Sequence, residues 1–173
     1  ALRAPSLPWL GALALTLAGC RRSLPAGDCA QSPPTGPGQS VCTVPGFDDR
    51  DFILRLPPSF DGKRKLPLVF ALHGGGGRKE GVNALTCEGG DEGKASCLFE
   101  AAAAHEVILV VPDGTESKLD MRTWNAGGGA KGTTCVDACQ KGVDDIGYFR
   151  ALLDELRALV PVDEKRIFFT GFS

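Results

Sequence analysis

Hydrophobic positions fall into distinct patterns along the chain. In residues 51–57, Phe52, Leu54 and Leu56 alternate with Ile53 and Arg55, the period of a half-buried antiparallel strand. Pro57-Pro58 ends it, and residues 59–66 read as a polar turn. Residues 67–72 are then continuously apolar, which suits a strand covered on both faces, and run straight into His73-Gly74-Gly75-Gly76-Gly77. Four consecutive alanines in residues 97–105 predict a short helix, and residues 107–111 a second apolar strand, closed by Pro112-Asp113-Gly114. A glycine-rich loop follows over residues 115–142. Next, Ile146, Phe149, Leu152, Leu153, Leu156, Leu159 and Val160 recur at helical spacing, with carboxylates in the first turn where the helix dipole favours them. Residues 166–170 predict a third buried strand that delivers Gly171-Phe172-Ser173. Strands alternating with helices predict an α/β fold, with a mostly parallel sheet and helices on both faces.

The N-terminus follows a different logic. Arg3 precedes an apolar run over residues 7–17, too short for a stable membrane span and of the length of a signal-peptide core. Leu17-Ala18-Gly19-Cys20 then resembles the lipobox of bacterial lipoproteins, in which the cysteine is acylated and becomes the new N-terminus. Residues 21–40 are rich in Pro, Gly, Ser and Ala without an apolar period, a composition that predicts a flexible tether. The expected organisation is therefore a lipoprotein signal over 1–20, a tether over 21–40 and a folded domain over 41–173. The protein is expected to be exported and either lipid-anchored in the cell envelope or secreted.

Composition changes this picture in one respect. With 173 residues, 43% hydrophobic and 23% charged, and a net charge of −2, the chain is ordinary for a globular domain. It has no clustered basic excess that would suit a nucleic acid, and membrane contact is expected only through the anchor. The cysteines are more informative. Of seven, Cys20 belongs to the signal, leaving Cys29, Cys42, Cys87, Cys97, Cys135 and Cys139. An even number in an exported chain predicts disulfides. Metal binding is the competing reading, but no pair is spaced C-x-x-C and the two histidines, His73 and His105, lie in apolar contexts. No metal is expected. Pairing of sequence neighbours (29 with 42, 87 with 97, 135 with 139) is the expectation, since each pair falls within one loop.

In α/β sheets, reactive groups collect at the carboxyl ends of strands. Two such ends carry glycine turns. The His73 to Gly77 turn has the H-G-G-G pattern that contributes oxyanion-hole N–H groups in lipases and esterases, with Gly74 and Gly75 as candidate donors. Gly171-Phe172-Ser173 opens the G-x-S-x-G pattern of a nucleophile elbow, with Ser173 as candidate nucleophile. His73 at this position shapes the loop more naturally than it serves as a base.

Several segments together resemble the esterases related to polyhydroxybutyrate depolymerase, feruloyl esterase and acetylxylan esterase. They are residues 66–77, Pro112-Asp113-Gly114, Trp124-Asn125, the run Val143-Asp144-Asp145-Ile146-Gly147-Tyr148, and residues 162–173. The resemblance implies an α/β-hydrolase fold, ester hydrolysis through an acyl-enzyme, a Ser-His-Asp triad and no cofactor. It implies an ester substrate, either a polyester or an esterified plant polysaccharide. By it, Ser173 matches the nucleophile and the glycine turn the oxyanion hole. Trp124 and Asn125 look like a border of the site, though a tryptophan buried over the sheet edge is an equal reading. Asp144 and Asp145 suit helix caps.

In this fold the acid and histidine of the triad follow the serine. This chain is therefore expected to stop after the nucleophile strand and to be inert by itself. A non-catalytic surface lipoprotein and a serine peptidase of the same fold are the alternative functions.

Overall fold

A computed structural model of the chain describes Gly27, Cys29 and residues 31–47, 49–117, 121–126 and 135–173. The expected lipobox at Cys20 lies outside these residues. The strands are β1 (Gly38–Thr43), β2 (Asp51–Leu56), β3 (Leu66–Leu72), β4 (Ile108–Pro112), β5 (Thr115–Glu116), β6 (Arg122–Thr123) and β7 (Val162–Gly171). The helices are α1 (Gly81–Thr86), α2 (Leu98–Ala104), α3 (Val136–Gln140) and α4 (Asp145–Leu159).

The fold is α/β. A five-stranded sheet has the order β1-β2-β4-β3-β7, and β5 and β6 form a separate hairpin. The main sheet is mixed. β1 pairs with β2 and β2 with β4 antiparallel, while β3 pairs in parallel with β4 and β7. The parallel part is made of the three strands with continuous apolar runs, and it is the part that carries the glycine turns.

Helices cover both faces. On one face, Phe52, Leu54, Leu68, Phe70, Ile108 and Val110 pack against Tyr148, Leu152 and Leu156 of α4. These three lie four residues apart, one stripe of a helix. On the other, Ile53, Ala71, Leu109 and Val111 pack with Val82 of α1 and Ala102 of α2. Every residue of β4 is buried, as its unbroken hydrophobicity requires. Asp144 caps α4 by accepting the Gly147 N–H at 2.8 Å.

Residues 166–170 form a strand as expected, and its apolar side chains stand at an open edge of the sheet. Among the described residues β7 has β3 as its one neighbour, and Phe168 and Phe169 are about half exposed. An apolar run reports that a strand has two faces to cover, and says nothing about whether they are covered. Some expectations are corrected. Ile146, placed in the α4 stripe by its spacing, is 62% exposed. Asp145 is not a cap, because its carboxylate turns inward onto Arg50.

Residues before 41 are tied to the sheet as well. β1 begins at Gly38, and Gly27 is bonded to it through Gly27 N–H to the Val41 carbonyl and Thr43 N–H to the Gly27 carbonyl. A disulfide joins Cys29 to Cys42. Main-chain pairing and a covalent link hold this segment, neither of which leaves an apolar period. The other disulfides join Cys87 to Cys97 and Cys135 to Cys139, so all three pairs are sequence neighbours.

Candidate active site

The parallel strands deliver both glycine turns to the same end of the sheet. Leu72 is in register with Gly171, so the residues that follow each strand emerge side by side. Phe172 N–H donates to the Leu72 carbonyl at 3.3 Å. Ser173 then takes φ of +60°, a left-handed conformation uncommon outside glycine and a feature of sharp strand-to-helix turns that expose a nucleophile. The approach to the other turn is close. A Cβ placed on Gly74 would stand 2.8 Å from the Phe172 carbonyl oxygen and 2.9 Å from Ser173 Cβ. Only glycine fits between the two turns.

The first turn is fixed from several sides. Gly77 N–H donates to the Gly74 carbonyl at 2.9 Å, and Gly76 N–H to the Arg122 carbonyl at 2.9 Å. The bonds found inside the turn thus use the later N–H groups, not those of Gly74 and Gly75. His73 is buried, with Nδ1 2.8 Å from the Gly74 carbonyl and Nε2 accepting the Gly114 N–H at 3.0 Å. That arrangement defines a neutral ring with its proton on Nδ1. Burial pulls its pKa below the ordinary value, against the opposing influence of the Gly74 carbonyl and Asp113. With both nitrogens committed, His73 shapes the loop.

Trp124 donates from Nε1 to the His73 carbonyl at 2.9 Å and stacks on Phe149 at 5.5 Å between centroids. Trp124 thus packs over the sheet end and lines the cleft beside Ser173. Asn125 donates from its side chain to the Val143 carbonyl at 2.9 Å and from its backbone to Asp145 Oδ2. A cleft of about 390 Å³ opens here, with His73, Trp124, Asn125, Ile146, Phe172 and Ser173 in its wall. The structure thus brings Ser173, His73, Gly74, Trp124 and Asn125 together, with Gly75 exposed at the tip of the first turn. The paired cysteines do not line this cleft.

Beneath the cleft lies a buried charge network that sequence reasoning missed. Arg50, 1% exposed, places Nη1 2.6 Å from Asp145 Oδ1, donates from Nε to the Asp113 carbonyl at 3.2 Å, and lies over the Tyr148 ring at 3.6 Å. Asp113, fully buried, accepts the Lys79 N–H at 2.7 Å and faces Lys79 Nζ at 2.9 Å and Arg122 Nε at 3.3 Å. Lys79 Nζ also meets Asp51 at 2.8 Å and Glu80 at 2.7 Å. Burial alone would lower the pKa of this ammonium, but the three carboxylates outweigh it and the group stands above its ordinary value. These charged residues come from stretches of the chain far apart in sequence. The one available signal was Pro112-Asp113-Gly114, a carboxylate at the end of a wholly buried strand.

No family model matches the chain. Among curated proteins it is similar to a "Probable feruloyl esterase C" of Aspergillus clavatus, at 26% identity over 127 residues, covering 73% of this chain and 38% of that protein. The "Probable feruloyl esterase C" of Aspergillus niger is 24% identical over 145 residues, covering 83% of this chain and 45% of that one. "Feruloyl esterase B" of Piromyces equi is 28% identical over 124 residues, covering 72% and 19% respectively. A crystal structure of a thermostable esterase aligns at 19% identity with a TM-score of 0.42, over 79% of this chain and 34% of that one. The chain resembles the esterase family that includes the feruloyl esterases. It spans less than half the length of the curated relatives it matches.

Proposed function

We propose that the protein is an exported carboxylic ester hydrolase in which Ser173 is the nucleophile. The observation that carries this reading is the junction of the two glycine turns: a serine in a left-handed turn, in contact with a glycine of the H-G-G-G loop. Ser173 Oγ attacks the ester carbonyl carbon, the carbon–oxygen bond to the alcohol breaks, and the alcohol leaves with a proton. Water then releases the acid from the acyl-serine. The N–H groups of Gly74 and Gly75 face the developing oxyanion. Trp124 and Asn125 border the bound acid.

The base comes from residues beyond Ser173. His73 has both nitrogens occupied, and His105 precedes β4, at the opposite end of the sheet. The 173-residue chain alone is accordingly inert. Similarity to feruloyl esterases supports an esterified plant polysaccharide as substrate, with a polyester as the other candidate. In the full-length protein, Ser173→Ala should lower hydrolysis of p-nitrophenyl acetate by several orders of magnitude, as triad knockouts do. A fluorophosphonate should label Ser173 in the parent protein. An active Ser173→Ala variant, or a label on another serine, would refute the assignment.

Export is supported by the signal-like N-terminus and the three disulfides, and Cys20 is the proposed lipid attachment site. Labelled palmitate should enter the protein and be lost in Cys20→Ser. Label retained in that variant would remove the anchor.

A further inference from the structure

We infer that Asp113 is a positioning residue for the oxyanion loop, holding the Gly74–Gly75 peptide in the orientation that serves the reaction at Ser173. The inference rests on the esterase reading given above.

Besides the bonds of Gly77 N–H to the Gly74 carbonyl and of Trp124 Nε1 to the His73 carbonyl, three fastenings of the glycine turn lead to Asp113 or its neighbour. At the start, His73 Nε2 accepts the Gly114 N–H at 3.0 Å, from the residue after Asp113. In the middle, Gly76 N–H donates to the carbonyl of Arg122, whose Nε lies 3.3 Å from Asp113 Oδ2. At the end, Asp113 Oδ1 accepts the Lys79 N–H at 2.7 Å, while Oδ2 meets Lys79 Nζ at 2.9 Å. The Asp113 carboxylate thus bonds directly where the chain leaves the turn, at Lys79, and reaches the start and middle of the turn through the backbone of Gly114 and the side chain of Arg122.

What the fastening achieves follows from peptide geometry. The Gly74 carbonyl is held by His73 Nδ1 at 2.8 Å and by the Gly77 N–H at 2.9 Å. The trans peptide is planar, so its N–H points opposite to its carbonyl. Fixing the Gly74 oxygen from inside the turn directs the Gly75 N–H out of it. Glycine loops have no side-chain packing to hold such an orientation, and an oxyanion donor contributes only if it is already aimed when charge develops. A buried carboxylate hydrogen-bonded to both the backbone N–H and Nζ of Lys79, with the Arg122 side chain beside it, supplies the rigidity that the glycines lack.

Asp113 touches neither the nucleophile nor the cleft surface, so its effect should appear in turnover and not in ground-state binding. In the full-length protein, Asp113→Asn keeps the shape and an acceptor for the Lys79 N–H but removes the charge. It should lower kcat for p-nitrophenyl acetate by about 10- to 100-fold, less than loss of a whole donor, with KM within about twofold. Affinity for a trifluoromethyl ketone, whose adduct places an oxyanion at the same point, should weaken by the same factor as kcat/KM. Both constants are referred to the active-site concentration titrated with a fluorophosphonate. A purely structural role would reduce the titrated sites and leave the constants of the remainder unchanged, which would overturn the inference. Arg122→Gln should give the same signature at smaller size. It serves as the deciding variant if Asp113→Asn does not fold, with unchanged kcat and ketone affinity counting against the inference. A parent protein that is neither labelled nor active would instead refute the esterase reading itself.

Discussion

The two glycine turns differ in what gives them their shape. The turn from His73 to Gly77 is defined by partners remote in sequence: Gly114 binds its histidine, Arg122 its Gly76, and Asp113 the Lys79 that follows it. The turn at Gly171 to Ser173 grows out of its pairing with Leu72, to whose carbonyl Phe172 N–H donates, and carries its own left-handed residue in contact with Gly74. The first is thus sensitive to changes far from the cleft. The second is sensitive to the width of its neighbour. Rigidity of one turn can pass to the other through the Leu72–Phe172 bond and across the close contact at Gly74.

Mutations should separate these sensitivities. The largest effect on stability is expected from Arg50→Met. It strands the buried Asp145 carboxylate and should cost about 3–5 kcal/mol, the range for breaking one side of a buried ion pair. Urea unfolding of the full-length protein would measure it. A loss below about 1 kcal/mol would mean that the network beneath the first turn contributes little, and would weaken the contrast drawn here. A smaller effect in free energy, but confined to activity, is expected from Gly74→Ala. Its Cβ would meet the Phe172 carbonyl and Ser173, pushing the turns apart. Ester turnover should fall about 10²–10³-fold, the scale for losing an oxyanion donor, with unfolding free energy changing less than in Arg50→Met. Undiminished turnover would show that contact between the turns is dispensable.

How much of this was legible in the sequence depends on the kind of signal. β3, β4 and α4 were read from apolar runs and helical spacing because packing against a core imposes those periods. β1 was not, since GQSVCT has almost no apolar pattern and owes its place to pairing with β2 and to a disulfide. The small elements α1, β5 and β6 went unread for a similar reason, being too short to show a period. In the site, His73 to Gly77 and Gly171 to Ser173 were legible because glycine at a strand end is a local requirement. Arg50, Lys79, Asp113 and Arg122 were not, because a buried ion pair is a relation between two distant positions, neither of which is unusual alone. Exposure of Ile146 was hidden likewise, since periodicity reports amphipathicity and not what stands opposite.

The placement of β7 beside β3 has a temporal consequence. β3 lies between β4 and β7 in the sheet, yet Leu72 must wait for Gly171 to complete its pairing. At synthesis rates of roughly 5–20 residues per second, this delay is on the order of 5–20 s. The disulfides span separations of 13, 10 and 4 residues, so each can close as soon as its own loop has emerged. Meanwhile the free edge of β3, with Phe70 on it, is a sticky template for any passing strand. The segment that brings the candidate nucleophile is the same one that covers this edge, so the serine arrives at the moment Phe70 gains its neighbour Phe169.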